Sequence, residues 1–106
     1  MKKVVTFGEV MVRLAPSEHY RFAQSCPGSM DLTFGGAESS VAASISMLGG
    51  SSRFVSALPQ HAIADAFVRQ MRGFKVDVDH VLRREAGRFG IYYVETGANQ
   101  RPSRVI

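Results

Sequence analysis

The sequence predicts an α/β fold: a parallel βαβ unit followed by extra strands. Three observations predict it. The chain opens on a β-branched and aromatic run, Val4-Val5-Thr6-Phe7, halted by Gly8. Two later stretches, from Ala37 to Leu48 and from Ile63 to Met71, place apolar residues at helical spacing and end at glycine. After Lys75 only strand-like segments follow. Strand, helix, strand, helix is the order of a right-handed unit on a parallel sheet.

Val4–Phe7 reads as a buried first strand, and Val10, Val12 and Leu14 alternate with Met11 and Arg13, so extended structure continues past a bend at Gly8 until Pro16. Residues 15–29, with two prolines, read as loop. Met30, Leu32 and Phe34 alternate with Asp31 and Thr33, the pattern of a strand with one apolar face. Val41, Ile45 and Leu48, with Ala42 beside them, form the expected inner stripe of the first helix, capped by Gly49-Gly50. Arg53–Leu58 reads as one core strand ended by Pro59. Ile63, Ala66, Phe67 and Met71 mark the second helix, closed by Gly73. Val81–Arg83 and the alternating segment Phe89–Val94 are strands, Gly97–Gln100 is a turn, and Val105-Ile106 starts a further apolar run.

At 106 residues the chain makes one domain at most, burying roughly 60 to 70% of its unfolded surface. Its 45% hydrophobic and 21% charged residues exclude a disordered chain. No apolar run is long enough to cross a bilayer, and the first residues are too short for a secretory signal, so the expected compartment is the cytoplasm. Cys26 is alone, which excludes a disulfide within the chain. His19, His61 and His80 stand in separate segments without ligand spacing, so no metal site is expected. The net charge of +4 comes wholly from residues 69–106, with eight basic and four acidic side chains. Such an excess suits an anionic substrate or nucleic acid. No aromatic residues interleave with Arg69, Arg72 and Lys75, which fall near a helix end where cations offset the negative pole, so nucleic acid is not the expected partner.

The most informative stretch is Gly35-Gly36-Ala37-Glu38-Ser39-Ser40, where a strand gives way to a helix. Two glycines let backbone approach a ligand without a Cβ in the way, and the free N–H groups of the first turn face the same place. A tight turn with no ligand is the competing reading. The spacing is not the three-glycine dinucleotide fingerprint, and no phosphate-binding loop with its lysine occurs.

The glycine pair, the small and apolar helix and the closing Leu48-Gly49 resemble the first signature of the phosphofructokinase-B-type, ribokinase-like carbohydrate kinases. The opening Val4–Pro16, the segment Phe34–Glu38, and Gly90-Ile91-Tyr92 followed by Gly97–Ser103 are similar to the 2-keto-3-deoxygluconate kinase branch of that family. The resemblance is collinear and nearly end to end. It implies a single incomplete domain over 1–106, the amino-terminal, sugar-side portion of a ribokinase-like α/β fold in which the extra strands form a small antiparallel β lid. It further implies ATP as phosphoryl donor with Mg²⁺, held by parts expected downstream of these residues, so that this piece alone binds neither. The sugar site would fall on Glu9, Gly35, Gly36, Ser40 and the lid residue Tyr92, with no catalytic residue among them. Two departures stand out: Ser40 where relatives carry asparagine, and Arg13 where ribokinases and fructokinases carry an aspartate for sugar hydroxyls. An arginine there suits a sugar acid, or is simply solvated. Lids of this family meet across dimers, so a homodimer through the lid strands is the implied assembly, and a non-catalytic binding or dimerisation module is the alternative reading.

Overall fold

The computed structural model describes residues 2–106. They divide into two compact units, Met1–Val10 with Gly35–Phe89, and Met11–Phe34 with Gly90–Ile106. In the first unit, β1 (Lys3–Phe7) pairs in parallel with a second strand at Ser51–Val55, Val5 opposite Arg53. Two helices lie in this unit, Ala37–Met47 and Ala62–Gly73, together with a short parallel pair, Ala57–Pro59 with Leu82–Arg84. In chain order the strands are β1, β2 (Met11–Ala15), β3 (Asp31–Gly35), β4 (Ser51–Val55), β5 (Ala57–Pro59), β6 (Leu82–Arg84), β7 (Gly90–Glu95) and β8 (Arg104–Val105); the helices are α1 (Phe22–Ser25), α2 (Ala37–Met47) and α3 (Ala62–Gly73). The expected parallel βαβ unit is thus β1–α2–β4.

The centre of the first unit is β4. Its other edge is bonded by the segment after α3, Phe54 N–H to the Asp77 carbonyl and Asp77 N–H to the Ser52 carbonyl, both 3.0 Å. The face of β4 carrying Ser52 and Phe54 meets both helices. Ser52 is fully buried, donates to the Ala42 carbonyl of α2 at 2.7 Å and shares a 2.6 Å bond with Ser46. Phe54 packs edge-on to Phe67 of α3 at 5.8 Å between ring centroids. Val5, Phe7, Arg53 and Val55 lie on the opposite face by register, which neither Ser52 nor Phe54 shares, and Phe7 remains 77% exposed. The expectation of a buried first strand therefore fails in β1: Val5 and Phe7 lie on the face away from the helices, and Val4, on the Ser52 face, is also 46% exposed.

The expected helical stripes shift for the same kind of reason. α2 buries Ser39 and Ala42, while Val41 and Leu48 face solvent. Small side chains let it lie close against β4, and the hydroxyls of Ser46 and Ser52 bond each other at that contact. α3 buries Ala64, Phe67, Val68 and Met71 at spacing i, i+3, i+4, i+7, leaving Ile63 and Ala66 outside. Its start is capped by His61, whose Nδ1 accepts the Ala64 N–H at 3.2 Å. The Gly49-Gly50 cap forms as expected, with Gly49 at φ +93° and the Gly50 N–H on the Ile45 carbonyl at 2.9 Å. At the end of α3 the left-handed position falls on Lys75 (φ +65°), not on Gly73.

Two further boundaries differ from the sequence reading. Residues 53–58 are not one strand: the chain breaks at Ser56, so that β4 and β5 join different sheets. The loop 15–29 contains the one-turn helix α1, whose Phe22 N–H donates to the buried Glu95 carboxylate at 2.9 Å. The second unit is a four-stranded sheet in the order β3-β2-β7-β8. The expected antiparallel lid is in part parallel: β7–β8 is antiparallel, whereas β2 and β7 run parallel, Arg13 beside Tyr92. No hairpin joins β2 to β7, since α2 and α3 lie between them in sequence, so nothing imposes antiparallel pairing. Leu32, expected on an inner apolar face, is exposed, as are Ile91 and Tyr93.

Lys3, Arg53 and Asp77 occupy adjacent positions across β1, β4 and the following segment; Lys3 Nζ and Arg53 Nη2 each lie 2.9 Å from Asp77 Oδ2. The Asp79 N–H on Oδ1, with those two cations, holds the Asp77 carboxyl well below the usual carboxylate range. A carboxyl depressed in the folded state stabilises above its unfolded value and loses that contribution as pH falls. Asp77→Asn should therefore lower the thermal midpoint at pH 7, and the gap from the parent should begin to narrow as pH is taken below about 4. Thermal melts across pH 3–7 test this, and a gap independent of pH contradicts it.

Candidate functional site

The glycine pair ends β3 and opens α2, beside the Gly8–Val10 turn that leaves β1. A Cβ added to Gly36 would stand 2.7 Å from the Glu9 carbonyl oxygen, 3.2 Å from Ser39 Oγ and 3.3 Å from Val10 Cα. With φ at 163° the backbone of Gly36 is extended, so space and not conformation demands glycine there. Across the turn, the side chain of Glu38 lies over Gly8, filling the place a Cβ would take. An acidic group in the first turn of α2 also suits the positive pole of the helix.

The Gly36 carbonyl accepts the Ser40 N–H at 3.0 Å and the Ser39 hydroxyl at 3.1 Å. That leaves the N–H groups of residues 37–39 without a partner inside the helix. Gly35 and Gly36 are half-buried, and Ser40 and Glu9 are exposed. Four of the residues expected to hold a sugar, Glu9, Gly35, Gly36 and Ser40, thus belong to the first unit, where Glu9 touches Gly36 through its backbone. Tyr92 belongs to the second unit, half-buried on β7. Two shallow cavities of the first unit, about 320 and 380 Å³, are lined by other residues.

A scan of family models matches residues 1–105 to the pfkB family carbohydrate kinases. The chain belongs to that family. The chain is 36% identical over 104 residues to a Haloferax volcanii protein named 2-dehydro-3-deoxygalactonokinase, covering 98% of this chain and 32% of that one. The crystal structure of 2-dehydro-3-deoxygluconokinase from Thermotoga maritima superposes on all of this chain at TM-score 0.93 and 45% identity. A pfkB family carbohydrate kinase from Listeria grayi gives 0.91 and 32% over 99% of the chain. In each case this pfkB chain spans about a third, 32%, of the relative's length.

Within this pfkB chain, two features of the site lay outside the sequence reading. Glu38 and Ser39 stood there only as polar residues on a first turn; the signal for Glu38 was an acidic side chain two residues past a glycine pair, ambiguous between capping and filling. The second is the register that sets Arg13 beside Tyr92 on one face of the second unit's sheet. Arg13 is half-buried and has no ion pair among the described residues. Among the described residues no three His, Cys, Asp or Glu side chains gather as a metal site. With no phosphate-binding loop in the sequence either, these residues do not by themselves fit ATP with its Mg²⁺.

Gly36→Ala and Gly8→Ala should separate. The first drives a Cβ into fixed backbone and should cost about 1–3 kcal/mol; the second meets only the movable Glu38 side chain and should cost well under half of that. Urea unfolding of both variants measures the difference, and equal losses contradict it.

Proposed function

We propose that this chain is the sugar-binding, amino-terminal portion of an ATP-dependent kinase that phosphorylates 2-keto-3-deoxygluconate or a closely related sugar acid. The observation that supports the reading is the match of all of this chain to about a third of the Thermotoga maritima 2-dehydro-3-deoxygluconokinase, at 45% identity and TM-score 0.93. Both units are read as parts of one incomplete kinase domain. Glu9, Gly35, Gly36 and Ser40 hold the sugar through backbone and hydroxyl groups, with the unpaired N–H groups at the start of α2 as donors to its oxygens. Within the second unit, Tyr92 of β7 is the residue assigned to ligand binding. Arg13, on the same sheet face as Tyr92, reads the substrate carboxylate by a charge-assisted bond. ATP with Mg²⁺ supplies the phosphoryl group from parts of the kinase other than these residues, and the compartment proposed is the cytoplasm, where ATP is abundant. Phosphoryl transfer depends mainly on positioning and charge neutralisation, and this portion provides the positioning of the acceptor.

In a coupled ATP assay the full-length kinase should turn over the keto-acid sugar, and the 106-residue chain alone should not. Arg13→Gln in the full-length enzyme should raise KM for the sugar acid about tenfold, as loss of one charged hydrogen bond predicts, while a neutral ketose is affected far less. Turnover by the short chain, or equal effects on acid and neutral sugars, overturns the corresponding part of the proposal.

A homodimer is the second part, favoured by the exposed Leu32, Ile91 and Tyr93 on the second unit's sheet. Light scattering of the full-length protein should give twice the monomer mass, and Ile91→Asp should halve it. A parent that stays monomeric across the concentration range rejects the pairing.

A further inference from the structure

The arginines of α3 have a placement that the proposed sugar site does not use. Asp65, Val68, Arg69 and Arg72 follow one another at i, i+3, i+4 and i+7, so they form one stripe of the helix, and this stripe and Arg83 of β6 line the cavity of about 320 Å³. Arg83 is held in place, Nε donating to the Pro59 carbonyl at 3.2 Å and Nη2 to Asp65 Oδ1 at 2.6 Å. A guanidinium has five N–H donors in a fixed plane, so fixing two of them orients the rest without exhausting them. Arg72 has only a loose ion pair with Asp79, 3.7 Å apart and largely exposed on both sides. Arg69 has no ion pair among the described residues.

Three arginines therefore line one concavity, and the one carboxylate residue of that lining, Asp65, is already bonded to Arg83. The negative pole at the end of α3 accounts for Arg72 in the last turn, but Arg69 stands a turn earlier. We propose that this cavity binds a small phosphate-bearing anion, as a site separate from the residues assigned to the sugar. Guanidinia recognise phosphate oxygens in pairs, and the volume suits a ligand at the small end of the usual range. The lining holds no aromatic side chain on which a base could stack, so a nucleic-acid strand is the poorer occupant.

The test is calorimetric titration of the full-length protein with inorganic phosphate, pyrophosphate and a single-stranded oligonucleotide at about 0.15 M salt, where exposed long-range attraction is screened. Arg69→Gln and Arg72→Gln are compared with Arg88→Gln, which lies outside this lining. Arg69 is exposed and without an ion pair, so its variant should melt at the parent's midpoint. The expected result is saturable binding of pyrophosphate, tighter than phosphate, weakened about tenfold by each of the first two variants and unchanged by the third. Absence of saturable binding, equal loss in all three variants, or a preference for the oligonucleotide overturns the proposal. None of these outcomes depends on the sugar assignment.

Discussion

The approach of Gly36 to the backbone of Glu9 and Val10 fixes where α2 can begin. Any side chain at position 36 would stand within 2.7 Å of a carbonyl oxygen, a distance that main chain cannot easily relieve. Because β1 leads directly into the Gly8–Val10 segment, and α2 starts directly after the glycine pair, this contact couples β1 to α2. The orphan N–H groups of α2 and the exposed Ser40 hydroxyl are consequences of that start. Glu38 over Gly8 closes the turn from its other side. A backbone-to-backbone contact leaves no choice of side chain, which is why it can position a binding surface more strictly than a hydrophobic contact of the same size.

Small residues play the same part inside the first unit. Ala42 and Ser52 are buried with almost no exposure, and the Ser52 hydroxyl bonds to a helix carbonyl that already serves the α-helical ladder. The buried hydroxyl is satisfied twice, by Ala42 and by Ser46, so its burial does not carry the penalty of an unpaired polar group. Bulk arrives only farther along β4, where Phe54 meets Phe67, and Phe67 in turn meets Phe89. The unit is therefore tight where α2 approaches and aromatic where α3 does.

This division explains what could be read in the sequence. Periodicity located α2, α3 and nearly all strands, because Gly49-Gly50 and the alternation in residues 90–94 are local signals, but not the one-turn α1. It misjudged which faces turn inward. Val41 and Leu48 look like a core stripe by hydropathy, yet the helix buries the serine and alanine side, since close packing on β4 selects for volume rather than apolarity. The break at Ser56 and the parallel pairing of β2 with β7 depend on partners distant in sequence, which no local pattern encodes. At the candidate site the glycine pair was legible as a strand-to-helix turn. That Glu9 meets it through its carbonyl rather than its carboxylate was not, because the sequence names side chains and the contact is made by main chain.

The basic excess gains meaning once the fold has shown which cations it engages. Arg53 and Lys3 are tied to Asp77, Arg101 donates to the carbonyls of His19 and Thr96, and Arg83 is fixed by Asp65 and Pro59. Those side chains hold segments together, and removing one would first be felt as lost stability. Arg13 and Arg69 are different: among the described residues neither has an ion pair, one being half-buried on a sheet face beside a tyrosine and the other on the wall of a cavity. A structural cation and a ligand-reading cation are indistinguishable in composition, and net charge alone had left both kinds in one sum. Of the arginines without an ion pair among the described residues, Arg13 and Arg69 fall in two places of different chemistry. A carboxylate beside a tyrosine needs one guanidinium, whereas a phosphate in a concavity is met by several.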